Sequence, residues 1–218
     1  MEPGFWHERW HKQQIGFHQQ DINPFLVKYW STLALRGNEQ VFVPLCGKTL
    51  DMCYLAEMGH DLLGCELSEL AVRQFFEENR LAYQQKAFGE LQAFSSEQMT
   101  LLQGDLFALQ AQQLASVGAF YDRAALIAWP EEMRLQYAAK LAALLPIGCC
   151  GLLITLEYPQ DMLKGPPFSV TREWIREHMS QWFEVTLLEQ ADVLADNPRF
   201  IAKEVPWLNE SAYLLKRK

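Results

Sequence analysis

Short apolar runs typical of buried strands alternate with amphipathic, helix-like segments along most of the chain. Strands are predicted at 41–45, 62–65, 99–103, 120–127, 151–156, 185–189 and 212–216. Strands separated by helical connections pair in parallel, whereas the last two are close enough in sequence to pair antiparallel. We therefore expect an α/β fold whose seven-stranded, mostly parallel sheet carries helices on both faces.

Several residues mark where helices and loops begin and end. Gly59 predicts the C-terminal end of a helix, because glycine readily adopts the left-handed backbone conformation that stops a helix. Ser68 and Thr171 are good helix N-caps because their hydroxyls accept amide hydrogen bonds. Pro130 predicts the first turn of a further helix. The proline-rich segment 158–170 is expected to be a loop at the carboxyl end of a strand, the edge where ligands bind in open α/β sheets.

Composition narrows the class of protein. Half of the 218 residues are apolar, which suits one well-buried domain over 1–218, with 1–35 as an N-terminal helical lid segment. The chain carries 19 basic and 27 acidic residues, a net charge of −8 that argues against a nucleic-acid partner. The longest apolar stretch is far shorter than a membrane span and no leader is visible, so we expect a cytoplasmic protein with no membrane partner.

Neither the cysteines nor the histidines have the spacing of a metal site. The five cysteines are odd in number and form no C-x-x-C pair, so we interpret all of them as reduced core residues. They are Cys46, Cys53, Cys65, Cys149 and Cys150. His7 to His11 matches H-E-x-x-H, but Gln14 and Phe17 stand where the long zinc-protease motif needs glycine and histidine, and we expect no metal.

The strongest chemical signal is a carboxylate 19 residues after the turn that follows the first strand. The turn contains Gly47, and Glu66 ends the second strand. A carboxylate in this position accepts both ribose hydroxyls of an adenosine lying across the sheet edge, and it disfavours the 2′-phosphate of NADP. The alternative interpretation is that Glu66 merely begins the turn before the Ser68 cap. The spacing leaves both interpretations open.

The loop after the first strand separates two adenosine cofactors. A pyrophosphate needs several glycines so that backbone amides approach it closely, whereas this loop has Gly47 alone beside Leu45 and Cys46. It suits the smaller amino-acid tail of S-adenosylmethionine. After the third strand, Asp105 supplies a polar contact and Leu106 an apolar wall for an adenine ring, although aspartates at strand ends are often caps.

Two further positions suggest contacts to a charged ligand. Trp6 and Trp10 are one helical turn apart with Phe17 beyond them, an aromatic face that attracts a methylsulfonium or simply packs the N-terminal helix. Arg123 ends the fourth strand. An arginine there either pairs with Asp122 or Glu66, or faces the cleft and holds an anionic acceptor.

Together, these segments resemble the thiopurine S-methyltransferase family over nearly the whole chain. The matching stretches are Trp6-x-x-x-Trp10, Gly16-Phe17-His18, Val43-Pro44-Leu45-Cys46-Gly47-Lys48, Gly64-x-Glu66-x-Ser68-Glu69, Asp122-Arg123 and Gly165-Pro166-Pro167-Phe168. Ala124 departs from the mammalian members, which carry glycine, and the tail around Arg199 does not align clearly with their acceptor region.

The resemblance implies a Rossmann-like class I methyltransferase with strand order 3-2-1-4-5-7-6, S-adenosylmethionine as methyl donor, and a monomeric state. It implies donor contacts from Trp10, Leu45, Glu66 and Arg123, with Asp105 and Leu106 flanking the adenine. It places Phe17, Pro166 and Phe168 beside the acceptor, with Arg123 as the catalytic residue that also orients it.

The implied reaction moves a methyl group to an aromatic or heterocyclic thiol such as a thiopurine, by in-line displacement with little acid or base help. Bacterial relatives are also associated with selenium and tellurium compounds, so these are alternative acceptors. Two other functions stay open from the residues themselves. They are an NAD-dependent oxidoreductase, which Glu66 favours and the lone Gly47 disfavours, and a non-catalytic binder of small thiols.

Overall fold

The computed structural model describes residues 3–37 and 39–218, so the first two residues of the expected lid segment lie outside it. Within these described residues, nine strands form one sheet: β1 Gln40–Pro44, β2 Leu62–Glu66, β3 Gln84–Phe88, β4 Leu91–Ser95, β5 Met99–Gln103, β6 Val117–Arg123, β7 Cys150–Glu157, β8 Phe183–Asp192 and β9 Asn209–Arg217. The helices are α1 Pro3–His11, α2 Pro24–Tyr29, α3 Asp51–Glu57, α4 Glu69–Glu78, α5 Glu131–Leu144, α6 Arg172–His178 and α7 Pro198–Ile201.

The sheet has the order β3-β4-β5-β2-β1-β6-β7-β9-β8. Its five central strands are parallel, and antiparallel strands extend it at both edges. Without β3 and β4, this is the implied order 3-2-1-4-5-7-6. The α/β fold class and the antiparallel closing pair are thus confirmed, whereas the count of seven strands is wrong.

The missed strands are the β3–β4 hairpin at one edge of the sheet. Most of β3 is exposed and its sequence Gln84-Gln85-Lys86 lacks the apolar residues that signal a buried strand. The predicted strand over 120–127 also differs, because β6 begins at Val117 and ends at Arg123. The apolar residues after it form a 3-10 turn, Leu126–Ala128, that packs into the core.

Two hydrophobic layers cover the sheet because alternate residues of a strand face opposite sides. In β1, Phe42 packs in the layer that contains Tyr137 and Leu141 of α5. Val41 and Val43 pack in the opposite layer, which contains residues of α2, α3 and α4. Helices on both faces are therefore confirmed.

The local signals for helix ends are largely confirmed. Ser68 and Thr171 are N-caps whose hydroxyls accept amide hydrogen bonds from Ala71 and Trp174. Gly59 has a φ of +94° just after α3. Pro130 is the N-cap of α5 rather than a residue of its first turn.

Three of the five cysteines lie in the core as predicted, and all five are free thiols. Cys53 and Cys150 are only half-buried, because they lie at the margin of a packed layer, which corrects the prediction that all five are core residues. No helix in the described part of the chain combines the length and apolar character needed to cross a membrane.

Candidate active site

A cavity of about 670 Å³ opens at the carboxyl ends of the parallel strands, within the size range of small-molecule sites. It lies beside β1, which has β2 on one side and β6 on the other. The strand order of the sheet reverses at this point, the usual ligand position in open α/β sheets. Its walls include Trp10, Phe17, Leu45, Glu66, Asp105, Leu106, Arg123 and Pro166, eight of the nine predicted site residues.

Glu66 lies at the tip of β2 with 7 % of its surface exposed. One carboxylate oxygen accepts the Gly47 N–H at 2.9 Å and the other accepts the Ser68 N–H at 2.8 Å. Burial raises the pKa of this carboxyl, against the effect of those hydrogen bonds. A carboxylate has about four acceptor positions, so capacity for two ribose hydroxyls is left even though Glu66 also organises the turn before α4.

The turn between β1 and α3 is tightly built around Trp10. Leu45 has a φ of +47°, a left-handed conformation that costs a non-glycine residue about 1 to 3 kcal/mol. Gly47 has a φ of +54°, and a Cβ there would lie 3.3 Å from the Trp10 indole. The single glycine of the loop is thus required by both its backbone and the tryptophan that covers it.

Asp105 and Leu106 follow β5 on the neighbouring side of the cavity. Asp105 caps a 3-10 turn, because its carboxylate accepts the Phe107 N–H at 2.9 Å. Leu106 is buried and contributes apolar wall. The capping role that the sequence left open for Asp105 is therefore present at the cavity itself.

Arg123 ends β6 and faces the cavity. It pairs with neither carboxylate suggested by the sequence, and instead donates to the Phe17 carbonyl at 3.0 Å. The buried Asp122 accepts the Tyr137 hydroxyl at 2.6 Å and the Leu126 N–H at 3.1 Å. Burial raises the pKa of Asp122 to about 6.

Ala124, which follows Arg123, has a φ of +65° and also lines the cavity. This left-handed conformation favours glycine. The departure noted in the sequence is therefore accommodated with backbone strain, next to a carboxylate that holds the turn.

The aromatic side chains near the N-terminus form one cluster over the cavity. Phe17 lies edge-on to both Trp6 and Trp10, with ring centroids 5.8 and 5.7 Å apart. All three rings line the cavity. They pack on one another and also line the cavity, so the packing alternative is confirmed, whereas contact with a ligand stays a prediction.

The loop after β7 supplies another wall. Pro166 lines the cavity, whereas Phe168 is not among the lining residues. The Phe168 ring covers Gly165, where a Cβ would lie 2.7 Å from it, and its N–H donates to the Ile127 carbonyl at 2.7 Å. Phe168 therefore shapes the loop that presents Pro166.

Three charged residues of the cavity were not assigned from the sequence, namely Asp196, Arg199 and Glu210. Arg199 of α7 donates to the Pro166 carbonyl at 2.8 Å, and Glu210 comes from β9. In the sequence, the only signal for Arg199 is weak: the stretch Asn197-Pro198-Arg199 does not align clearly with the acceptor region of the family that the chain resembles. Glu210 precedes the predicted last strand because Asn209-Glu210-Ser211 is polar.

The described residues contain no group of three or more His, Cys, Asp or Glu side chains able to hold a metal ion. His7 and His11 both lie on α1 and are exposed.

Comparison with known proteins identifies the family. Residues 1–218 match the family model of thiopurine S-methyltransferase (TPMT). The protein belongs to this family. It is 66 % identical over 218 residues to a thiopurine S-methyltransferase of Shewanella sp. (strain ANA-3) and 65 % identical to one of Shewanella baltica (strain OS223), with full coverage of both chains in each case.

Solved structures agree on the fold. An S-adenosylmethionine-dependent methyltransferase of Anabaena variabilis has a TM-score of 0.65 at 14 % identity, covering 99 % of this chain and 95 % of that one. A Burkholderia thailandensis 1,6-didemethyltoxoflavin-N1-methyltransferase with bound S-adenosylhomocysteine has a TM-score of 0.63 at 14 % identity, covering 99 % and 87 %.

The predicted family, enzyme class and methyl donor are confirmed by the family match and the named relatives. This TPMT family member is an S-adenosylmethionine-dependent S-methyltransferase. The alternative of an NAD-dependent oxidoreductase is not supported, in line with the single glycine of the β1–α3 turn.

Proposed function

We propose that this protein methylates the sulfur of an aromatic or heterocyclic thiol of the thiopurine type. The observation that supports this most is that the predicted donor contacts share one cavity with Phe17 and Pro166, the predicted acceptor neighbours. Aromatic and apolar walls suit a planar ring. Arg123 and Arg199 suit an anionic sulfur or ring nitrogen.

The donor is proposed to lie across the ends of β1, β2 and β5. Glu66 would accept the ribose hydroxyls, and Asp105 and Leu106 would flank the adenine. The amino-acid tail would lie in the smaller recess by the β1–α3 turn, lined by Gly47, His18 and Arg123 among others. The sulfonium would then face Trp10 and Phe17, whose rings attract cations.

Catalysis is proposed to rest on position. The methyl carbon of a sulfonium already carries a good leaving group, so an ionised thiol held in line with the breaking bond needs little acid or base help. Arg123 would be the catalytic residue, because its guanidinium holds the thiolate while its bond to the Phe17 carbonyl fixes the aromatic cluster.

The N-terminal segment, residues 1–35 of a single-domain protein, is proposed to be a lid. Its described part carries Trp6, Trp10 and Phe17 onto the cavity. Closure would exclude water while donor and acceptor align. We also propose a cytoplasmic monomer, which size-exclusion chromatography with light scattering tests for oligomeric state.

The deciding experiment is a radiolabelled methyl-transfer assay over aromatic thiols, thiopurines, selenite and tellurite. We expect S-methylated product from the heterocyclic thiols. If selenite or tellurite were methylated and the thiols were not, the acceptor would be a selenium or tellurium compound instead of a heterocyclic thiol. Tight binding of thiols with no methylated product would indicate a binding protein instead.

A further inference from the structure

A second carboxylate, the half-buried Glu210, lines the same cavity and has no part in donor binding as proposed above. It lies near the start of β9, directly opposite Leu156 of β7. Directly opposed residues of an antiparallel pair project on the same face of the sheet, and Leu156 also lines the cavity. Glu210 therefore faces the cavity.

One oxygen of Glu210 is held by a rigid donor. The buried side-chain oxygen of Asn23 accepts the N–H groups of Phe25 and Leu26 at 2.9 and 3.3 Å, which fixes the orientation of the amide. Its NH₂ group donates to Glu210 Oε1 at 3.4 Å. Within residues 3–37 and 39–218, no hydrogen bond is recorded to Oε2, whereas both oxygens of Glu66 accept backbone N–H groups.

The surroundings of Glu210 favour proton transfer. Burial is the largest influence and raises the pKa of its carboxyl. The charged and titratable groups that face it are Arg123, which opposes that rise, Asp51, which adds to it, and Tyr121. A carboxylate whose pKa is raised toward the working pH is a better base than an exposed one.

Other carboxylates are less suited to this role. Asp105 is exposed and caps a turn, and Asp196 is exposed at the rim of the cavity, where water competes. Asp122 is not among the residues that line the cavity, and its oxygens accept from Tyr137 and Leu126.

We propose that Glu210 is the proton acceptor for heterocyclic thiones, acceptors that carry their proton on a ring nitrogen. This inference rests on the proposed function and extends it to acceptors that are not already ionised. The sulfur lone pair forms the new S–CH₃ bond while the donor's CH₃–S⁺ bond breaks and its electron pair returns to the donor sulfur. The ring N–H proton moves to the Glu210 carboxylate, the N–H electron pair forms C=N while the C=S π pair moves onto the methylated sulfur, and the proton later leaves to water.

The test compares two acceptors in mildly acidic buffer, where one keeps its proton and the other does not. One is 6-mercaptopurine, which carries the proton, and the other is 4-nitrothiophenol, which is already a thiolate. Glu210→Gln is expected to lower kcat for 6-mercaptopurine by about 100-fold, the usual scale for a general base, and kcat for 4-nitrothiophenol by less than about threefold. The acid limb of the kcat profile for 6-mercaptopurine should disappear.

Glu157→Gln is the matched control. Glu157 ends the neighbouring strand β7, burial also raises its pKa, and it is not among the residues that line the cavity. This variant should keep both activities. Glu210→Ala provides a second measurement, because added formate should restore methylation of 6-mercaptopurine and leave that of 4-nitrothiophenol unchanged.

S-adenosylhomocysteine titration and thermal unfolding establish that each variant is folded. Equal losses on both acceptors, no loss, or no effect of formate would overturn the role of Glu210. A wild-type protein that methylates neither acceptor would overturn the proposed function itself, which is a separate outcome.

Discussion

The cavity has a proposed donor half and a proposed acceptor half, and the two are built differently. In the donor half, Leu45, Glu66, Asp105 and Leu106 follow adjacent strands, and the carboxylates are held by backbone N–H groups 2 or 19 residues away. In the acceptor half, the bonds Arg199–Pro166, Arg123–Phe17 and Asn23–Glu210 join residues 33, 106 and 187 positions apart. The donor half is therefore a local product of the sheet edge, whereas the acceptor half exists only after distant segments have packed.

The largest effect is expected in the donor half. Glu66→Ala should weaken S-adenosylhomocysteine binding by about 1 to 3 kcal/mol, because the ribose loses its hydrogen-bond acceptors. Calorimetric titration measures this. The control is Glu69→Ala, since Glu69 is exposed in the next turn and bonds only Arg73 among the described residues. Unchanged affinity in the Glu66 variant would contradict the proposed contact between Glu66 and the ribose.

The acceptor half should respond through substrate charge. Arg123→Ala is expected to lower kcat/KM for an anionic thiol about tenfold more than for an uncharged one, about 1.4 kcal/mol. Steady-state assays on the two acceptors check this, and Arg123→Lys should recover part of the difference. Equal losses on both acceptors would mean that Arg123 only supports the Phe17 segment.

Asp122 holds the turn between the two halves, and its pKa makes its contribution depend on pH. Because burial raises that pKa from 3.8 to about 6, the folded state binds a proton that the unfolded state has released between these values. The contribution of Asp122 to stability therefore rises as pH falls, by about 1.5 kcal/mol between pH 7.5 and pH 5.

Denaturant unfolding of wild type and Asp122→Asn at the two pH values isolates this contribution. The free energy of unfolding of wild type, relative to that of Asp122→Asn, should be higher at pH 5 than at pH 7.5. If the difference does not change with pH, the pKa of Asp122 is not raised in the folded state.

The smallest effect is expected at Ala124, beside Arg123. Ala124→Gly relieves a left-handed conformation that costs an L-residue about 1 to 2 kcal/mol, and glycine loses about 0.5 to 1 kcal/mol through backbone entropy. The free energy of unfolding should therefore rise by about 0.5 kcal/mol. A decrease, measured by chemical denaturation, would show that Ala124 is not strained.

The same contrast explains what could be predicted from sequence. Strand-end positions such as Glu66 and Asp105 follow from apolar runs and turn residues that are close in sequence, so their place at the cavity could be predicted. The order of the central strands was implied by the family resemblance and not by these local signals.

Features set by distant contacts could not be placed. Glu210 lies in a polar segment that becomes a strand only by pairing with β7 and β8. Arg199 reaches the cavity because the short helix α7 packs near the loop that carries Pro166. The exposed hairpin strand β3 has no apolar pattern, since one of its edges and most of its side chains face water.

A crystal structure with S-adenosylhomocysteine and 6-mercaptopurine bound together tests the two-half description most directly. We expect the ribose hydroxyls on Glu66, and the purine between Phe17 and Pro166 with a ring nitrogen within hydrogen-bond distance of Glu210. A ribose bound away from Glu66, or a purine outside the space between Phe17 and Pro166, would contradict it.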